Sequence, residues 1–275
     1  MLQVGIMQGR LSPRVDERIQ AFPKESWREE FEVAAECGFE IMEWVVDADK
    51  PESNPLFSNE DRKKINQLQK NNGIAIPSVC CDFFLQHPLQ QEVSLSYASQ
   101  RMLLELCRIC PEVGIRMIEI PLIGKTGLRP KGAADRMTRV LDHITPILKA
   151  SNVKILLETD LGPEQLLNFL NRIDNNRILV NYDIGNSAYW GFNAENEITL
   201  YGEYIGNIHI KDCTPEKYSV ALGSGNVDFD NFFLNLREKD YNGDFILQTA
   251  RGKDDIGLAK KYREYTLYYI NKYLV

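Results

Sequence analysis

The chain has 275 residues, of which 44% are apolar and 26% charged. That is ordinary globular composition and excludes a mostly disordered chain, a collagen and a coiled coil. The formal net charge of −7, the pI near 5.2 and the absence of a long Lys/Arg run argue against nucleic acid or an anionic membrane as partner. No apolar run approaches the ~18 residues of a membrane span. Met1–Gly5 lacks the basic and apolar regions of a signal peptide, so the expected location is the cytoplasm.

Taken in chain order, eight short β-branched apolar runs stand out. They are Leu2–Gln8, Phe39–Trp44, Ile74–Cys81, Ile115–Pro121, Val153–Thr159, Ile178–Asp183, Ile205–Lys211 and Asp244–Thr249. Segments of helical periodicity lie between most of them. Ser26 followed by Glu29 reads as a capping box before Phe31, and Gly38 as the stop. Ser58 opens a helix ending at Asn72-Gly73, Pro163 occupies a first-turn position, and Asp228 caps Asn231–Lys239. Pro146 is expected to bend or split the Ala133–Ala150 helix. A Tyr- and Leu-rich helix, Ile256–Leu274, closes the chain and offers a contact for a homo-oligomer.

Cys37, Cys80, Cys81, Cys107, Cys110 and Cys213 are expected as reduced thiols in a chain with no export signal. Cys107-x-x-Cys110 has no second CxxC or CxxH, and core packing is its expected role.

Strand–helix alternation implies a parallel sheet. Eight units in about 250 residues is the arithmetic of a (β/α)8 TIM barrel, here a single domain over 1–275. A doubly wound sheet would want a Gly-rich turn after the first strand, and Gly5-Ile6-Met7-Gln8-Gly9 lacks the third glycine.

Side chains of a barrel strand alternate between helix layer and interior, and barrel active sites lie at the C-terminal strand ends. On strand five, Val153, Ile155 and Leu157 take the helix side, leaving Glu158 inward. The same phase turns Asn181 and Asp183 inward on strand six, His209 and Lys211 on strand seven, and Gln248 on strand eight. Taken singly, a strand-end acid is a helix cap and a strand histidine is a hydrogen-bonded core residue. Together on four successive strands, Glu158, Asp183, His209 and Gln248 suit a divalent cation such as Mn²⁺, Co²⁺, Mg²⁺ or Zn²⁺.

These residues, with Gly5–Pro13, Gly38–Trp44, Leu157-Glu158-Thr159, Asn181–Asn186, His209–Asp212, Leu222–Phe229 and Phe245–Thr249, resemble the xylose isomerase-like barrels of the sugar phosphate isomerase/epimerase superfamily. The resemblance spans nearly the whole chain. It implies a metal held by Glu158, Asp183, His209 and the residue at 248, where that family usually carries Glu. It further implies proton abstraction beside a metal-bound carbonyl of a sugar or sugar phosphate, through an enediolate, with Glu158 as base. Gln248 cannot accept a proton at ordinary pH, which favours one-base isomerisation over two-base epimerisation. Asn186 stands where epimerases often carry His.

Further candidates for substrate contact are Gln8, Arg10, Glu43, His87, Glu119, Asn186, Lys211 and Arg251. Glu43 and Glu119 serve equally as interior polar filler, Arg10 as a salt-bridge partner, and Lys211 as a partner for Asp183 or Glu158. His143, mid-helix, is expected to be structural. Arg251 follows strand eight, where barrels often bind phosphate, and Gly223-Ser224-Gly225 offers backbone N–H groups to an anion. Trp44, Phe83, Phe84 and Trp190 are candidate walls of a sugar pocket. The other readings on the same barrel are a metal-dependent dehydratase or lyase and a non-catalytic ligand-binding barrel. Three histidines are too few for the multi-zinc phosphodiesterase reading.

Overall fold

The structure, a computed structural model, describes residues 2–173 and 175–275, without the side chains of 93–95. Eight parallel strands close into a barrel: β1 (Val4–Met7), β2 (Met42–Val45), β3 (Ser78–Cys80), β4 (Met117–Leu122), β5 (Lys154–Thr159), β6 (Ile178–Asp183), β7 (Ile205–Ile210) and β8 (Asp244–Leu247). Neighbours pair in sequence order, and β1 closes the ring on β8 with Ile6 opposite Leu247. Closure removes the sheet edges that an open sheet would expose. The expected (β/α)8 barrel is therefore the observed fold.

The outward phase builds the layer between sheet and helices. Ile155, Leu157, Ile208, Ile210 and Phe245 are fully buried there. The helix Ala133–Ser151 lays Met137, Leu141, Ile144 and Leu148 on this layer. Of the two expected outcomes at Pro146, bending or splitting, the split does not occur: the helix runs through it as one element. A helix-interior proline costs ~3 kcal/mol, whereas each fully buried large apolar side chain stabilises by roughly 1.5–3 kcal/mol. Four such residues outweigh one proline.

The caps at Ser58 and Asp228 form as expected: the Ser58 hydroxyl accepts from Asp61 N and the Asp228 carboxylate from Asn231 N. The box at Ser26 does not form. The helix starts at Glu29, and Ser26 lies in a turn. That turn buries Trp27 to 2% exposure, edge-on to Trp44 at 5.8 Å, and this packing sets the local backbone.

An unexpected antiparallel hairpin, Asp212–Thr214 with Lys217–Val220, rises from the end of β7. Its base is held by Asp212, whose carboxylate accepts from the backbone N–H groups of Cys213, Gly223, Gly225 and Val227. The Gly223–Gly225 loop thus spends its N–H groups on an internal carboxylate rather than on an external anion. All six cysteines are buried free thiols. Tyr265 and Tyr269 of the last helix, Asp255–Tyr273, pack on Phe229. Among the described residues no helix is long and apolar enough to cross a membrane.

Candidate functional site

His209 is the centre of the barrel's polar interior. It is fully buried, and its two ring nitrogens face two different acidic pairs. Nε2 lies 2.7 Å from Glu43 Oε1 and 3.4 Å from Glu119 Oε2. Nδ1 lies 3.7 Å from Glu158 Oε2. The Asn181 amide nitrogen sits 3.0 Å from Nδ1 and can only donate, so Nδ1 is the acceptor and Nε2 carries the hydrogen given to Glu43. Burial works against the charged imidazolium. The negative charges of Glu43, Glu158 and Asp183 outweigh it and raise the His209 pKa.

On the Nε2 side, Glu43 sits in a hydrogen-bond network. Glu43 Oε2 accepts from the Ser78 hydroxyl at 2.6 Å and from the Asn207 amide at 3.2 Å. Asn207 also donates to Asn181 Oδ1 at 2.9 Å, and Asn181 donates to Glu158 Oε2 at 3.2 Å. Glu119, 1% exposed, has its pKa pushed well above the usual carboxylate range by burial first and then by Glu158 and Glu43. Its Oε2 has no hydrogen-bond partner.

The Nδ1 side opens to the barrel mouth. Glu158, Asp183 and His209 each place one ligand atom within 4.8 Å of the others. Asp183 uses Oδ1 to accept from Asn186 N at 2.8 Å, capping the short helix after β6. Its buried Oδ2 has no hydrogen-bond partner and faces Lys211 Nζ at 3.5 Å. Glu158 Oε1 accepts from Asn186 Nδ2 at 2.5 Å, and Asn186 Oδ1 accepts from Lys211 Nζ at 2.8 Å. Lys211 also lies under the Tyr218 ring, 3.5 Å from its centroid. Gly185 makes room for this lysine: a Cβ there would fall 2.7 Å from Lys211 Cγ.

The donor set on this side fits a divalent cation. It comprises two carboxylates, one of them with a buried oxygen lacking a partner, and an imidazole nitrogen whose lone pair now accepts from Asn181 and would be given to the cation in its place, with a carboxylate behind the ring to fix the tautomer.

Above it lies a cavity of about 190 Å³ whose lining includes Arg10, Asp82, Glu119, Glu158, Lys211 and Gln248. Gln248 follows β8, its backbone N–H bonded to Ile210 O at 3.1 Å, and its amide donates to Gln20 Oε1 at 3.2 Å. Arg10 lines the cavity but is strapped down by Thr249 O at 3.1 Å, Ile19 O at 2.7 Å and Gln20 Oε1 at 3.1 Å. Burial and nearby Arg251 lower its pKa to about 10.

Other sequence candidates fall elsewhere. Gln8 is fully buried and accepts from Val45 N. His87 is exposed, stacks on Phe83 at 4.4 Å and does not line the cavity. Arg251 is tied to Asp255 at 2.8 Å and to Ser12 O, outside this cavity. Trp44, Phe83, Phe84 and Trp190 are not among the cavity walls. Trp44 instead donates its indole N–H to Asn54.

The polar lining residues that escaped the sequence reading are Gln20, Asp82, Tyr218 and Ser219. Asp82 had a usable signal, a polar residue just past β3. Gln20 sits in a loop with no periodicity to place it.

The sequence matches the xylose isomerase-like TIM barrel family over residues 31–266. The chain belongs to that family. A curated relative from Haemophilus influenzae, named putative L-ribulose-5-phosphate 3-epimerase, is 26% identical over 254 residues, covering 86% of this chain and 88% of its own. Among solved structures, an L-ribulose 3-epimerase superposes with a TM-score of 0.80 at 17% identity, over 99% of this chain and 95% of its own. The IOLI protein, solved with a bound zinc atom, superposes with a TM-score of 0.75 at 15% identity, over 99% of both chains. At such identities the structural likeness speaks for the fold.

Proposed function

We propose that this chain is a divalent-metal-dependent epimerase of a ketose or ketose phosphate, inverting the carbon next to the carbonyl. The observation that carries the reading is the Glu158–Asp183–His209 cluster, in which a buried Asp183 oxygen lacks a hydrogen-bond partner and Glu158 lines a cavity of about 190 Å³. Kinship with a named sugar-phosphate 3-epimerase supports epimerisation over the isomerisation that Gln248 alone favours.

Glu158, Asp183 and His209 Nδ1 would hold the cation. When bound, it supplies Lewis acidity that polarises the substrate carbonyl, an effect of several kcal/mol. Glu158 has a carboxylate at the cavity floor, oriented by Asn181 and Asn186, and takes the proton from the carbon beside the carbonyl. Lys211, held by Asn186 Oδ1, lines the cavity beside it and offers its ammonium to a substrate hydroxyl. Glu43 fixes the imidazole tautomer from behind.

The test is incubation of Mn²⁺-loaded protein in D2O with ketopentoses, ketohexoses and their terminal phosphates, followed by NMR. Deuterium at the carbon next to the carbonyl, together with appearance of the epimer, is the expected result. A substrate set that gains no deuterium while a conjugated chromophore grows in would replace the reading with dehydration.

A further inference from the structure

Inversion at one carbon needs proton transfer on both faces, and Gln248 stands where a second carboxylate would be expected. We infer that Asp82 is the second proton-transfer residue, delivering a proton to the substrate carbon from the face opposite Glu158. The inference rests on the epimerase reading.

The cavity geometry argues by elimination. Its ionisable lining groups are Arg10, Asp82, Glu119, Glu158, Lys211 and Tyr218. Lys211 shares Asn186 with Glu158 and carries Tyr218 over its ammonium, so both sit on Glu158's side. Glu119 adjoins Glu158 and His209 on the floor. Arg10 stays a cation at any working pH and is strapped to backbone carbonyls. Asp82 remains. It enters from the end of β3 and is held from the opposite rim. Gln20 Nε2 donates to Asp82 Oδ2 at 2.6 Å, and the same amide's Oε1 accepts from Gln248 at 3.2 Å and from Arg10 at 3.1 Å. One side chain thus joins the Asp82 carboxyl to the residue that replaces the expected base.

The protonation balance also suits the role. The groups facing Asp82 are Cys80, Glu158 and Arg10. Burial foremost lifts its pKa to about 6, Glu158's charge adds to the rise, and the hydrogen bond from Gln20 and the charge of Arg10 oppose it. A carboxyl near neutrality can both give and take a proton.

The step balances as follows. Glu158 takes the proton as the C–H bond breaks, and the electron pair moves into the enediolate. Asp82 then gives its proton to the same carbon from the other face: the C=C pair of the enediolate forms the new C–H bond, and the oxygen's pair restores the carbonyl. Glu158 ends protonated and Asp82 ionised. Both reset with water at the open mouth, and the reverse reaction exchanges their roles.

The experiment compares wild type with Asp82→Asn in D2O, following isotope exchange and inversion separately. In the variant, inversion falls at least about 100-fold, the scale of one lost acid–base group. Exchange of the substrate's own hydrogen falls by less than about fivefold, because Glu158 still removes and returns it. Inversion within about threefold of wild type overturns the assignment, as does equal loss of exchange and inversion. A wild-type measurement guards against a variant that does not fold. Product formed in D2O should carry deuterium at the inverted carbon. Retention of the substrate's original hydrogen there would mean one base serves both faces. Wild type that neither exchanges nor inverts any ketose would overturn the epimerase reading itself.

Discussion

The two nitrogens of His209 face acidic pairs of the same chemistry, yet the pairs differ in what they can do. On the Nε2 side, Glu43 is saturated by Ser78, Asn207 and the imidazole, while Glu119 lines the cavity floor and is driven toward its neutral form by burial and then by Glu158 and Glu43. On the Nδ1 side, Asp183 keeps a buried oxygen without a hydrogen-bond partner, and Glu158 meets the cavity. Donor count alone does not separate the clusters, since each offers two carboxylates and one imidazole nitrogen. Each also has one acid on the cavity and one buried oxygen without a partner, so the charge of the second acid separates them: two neighbouring carboxylates push Glu119 toward its neutral form, whereas Asp183 Oδ2 faces the Lys211 ammonium. A carboxylate whose lone pairs are filled orients its neighbour, and one left partly free can take a ligand.

Substitutions can break that contrast in order of size. Glu158→Gln removes the base and one charged ligand atom while keeping the shape. Turnover is expected to fall about 10³-fold or more, measured as deuterium exchange in the wild-type substrate assay. Glu43→Gln leaves every proposed ligand in place but weakens the acceptor behind Nε2. Metal affinity should fall about 10- to 100-fold by calorimetry, since carboxylates behind ligating histidines act on that scale.

Glu119→Gln sharpens the contrast from the stability side. Its pKa is raised in the fold, so near pH 4 the carboxyl is protonated folded and unfolded alike. As pH rises past the ordinary carboxylate value, the unfolded chain ionises first and the native state loses stability. The variant should therefore melt a few degrees above wild type at pH 7 and show a smaller gain near pH 4. Arg251→Ala is expected to give the smallest functional effect. It breaks the bond to Asp255 and the contact with Ser12 O, lowering stability by about 1–3 kcal/mol. KM for a phosphorylated ketose should stay within about twofold, because the guanidinium lies outside the cavity.

Much of this was legible in the sequence because the barrel enforces period two. The alternation through Val153, Ile155 and Leu157 points Glu158 inward, and the same count places Asp183 and His209. The structure brings these three together. Less legible were features set by packing rather than by periodicity. Trp27 moves the first helix start past Ser26, and the buried face of the Ala133–Ser151 helix carries the chain through Pro146. The pairing of Glu43 with His209 joins residues 166 positions apart, and no local pattern reports it. Gln20 reaches the mouth from a loop, where side-chain direction follows tertiary contacts.

The most direct test of the contrast is Mn²⁺ calorimetry on metal-stripped wild type, Asp183→Asn and Glu119→Gln. Asn at 183 keeps an oxygen to cap Asn186 N, so the helix start is preserved. The account predicts one site in wild type, its loss or a drop of about 100-fold in Asp183→Asn, and near-wild-type binding in Glu119→Gln. Wild-type affinity in Asp183→Asn with loss in Glu119→Gln would put the cation on the Nε2 side of His209 and contradict it.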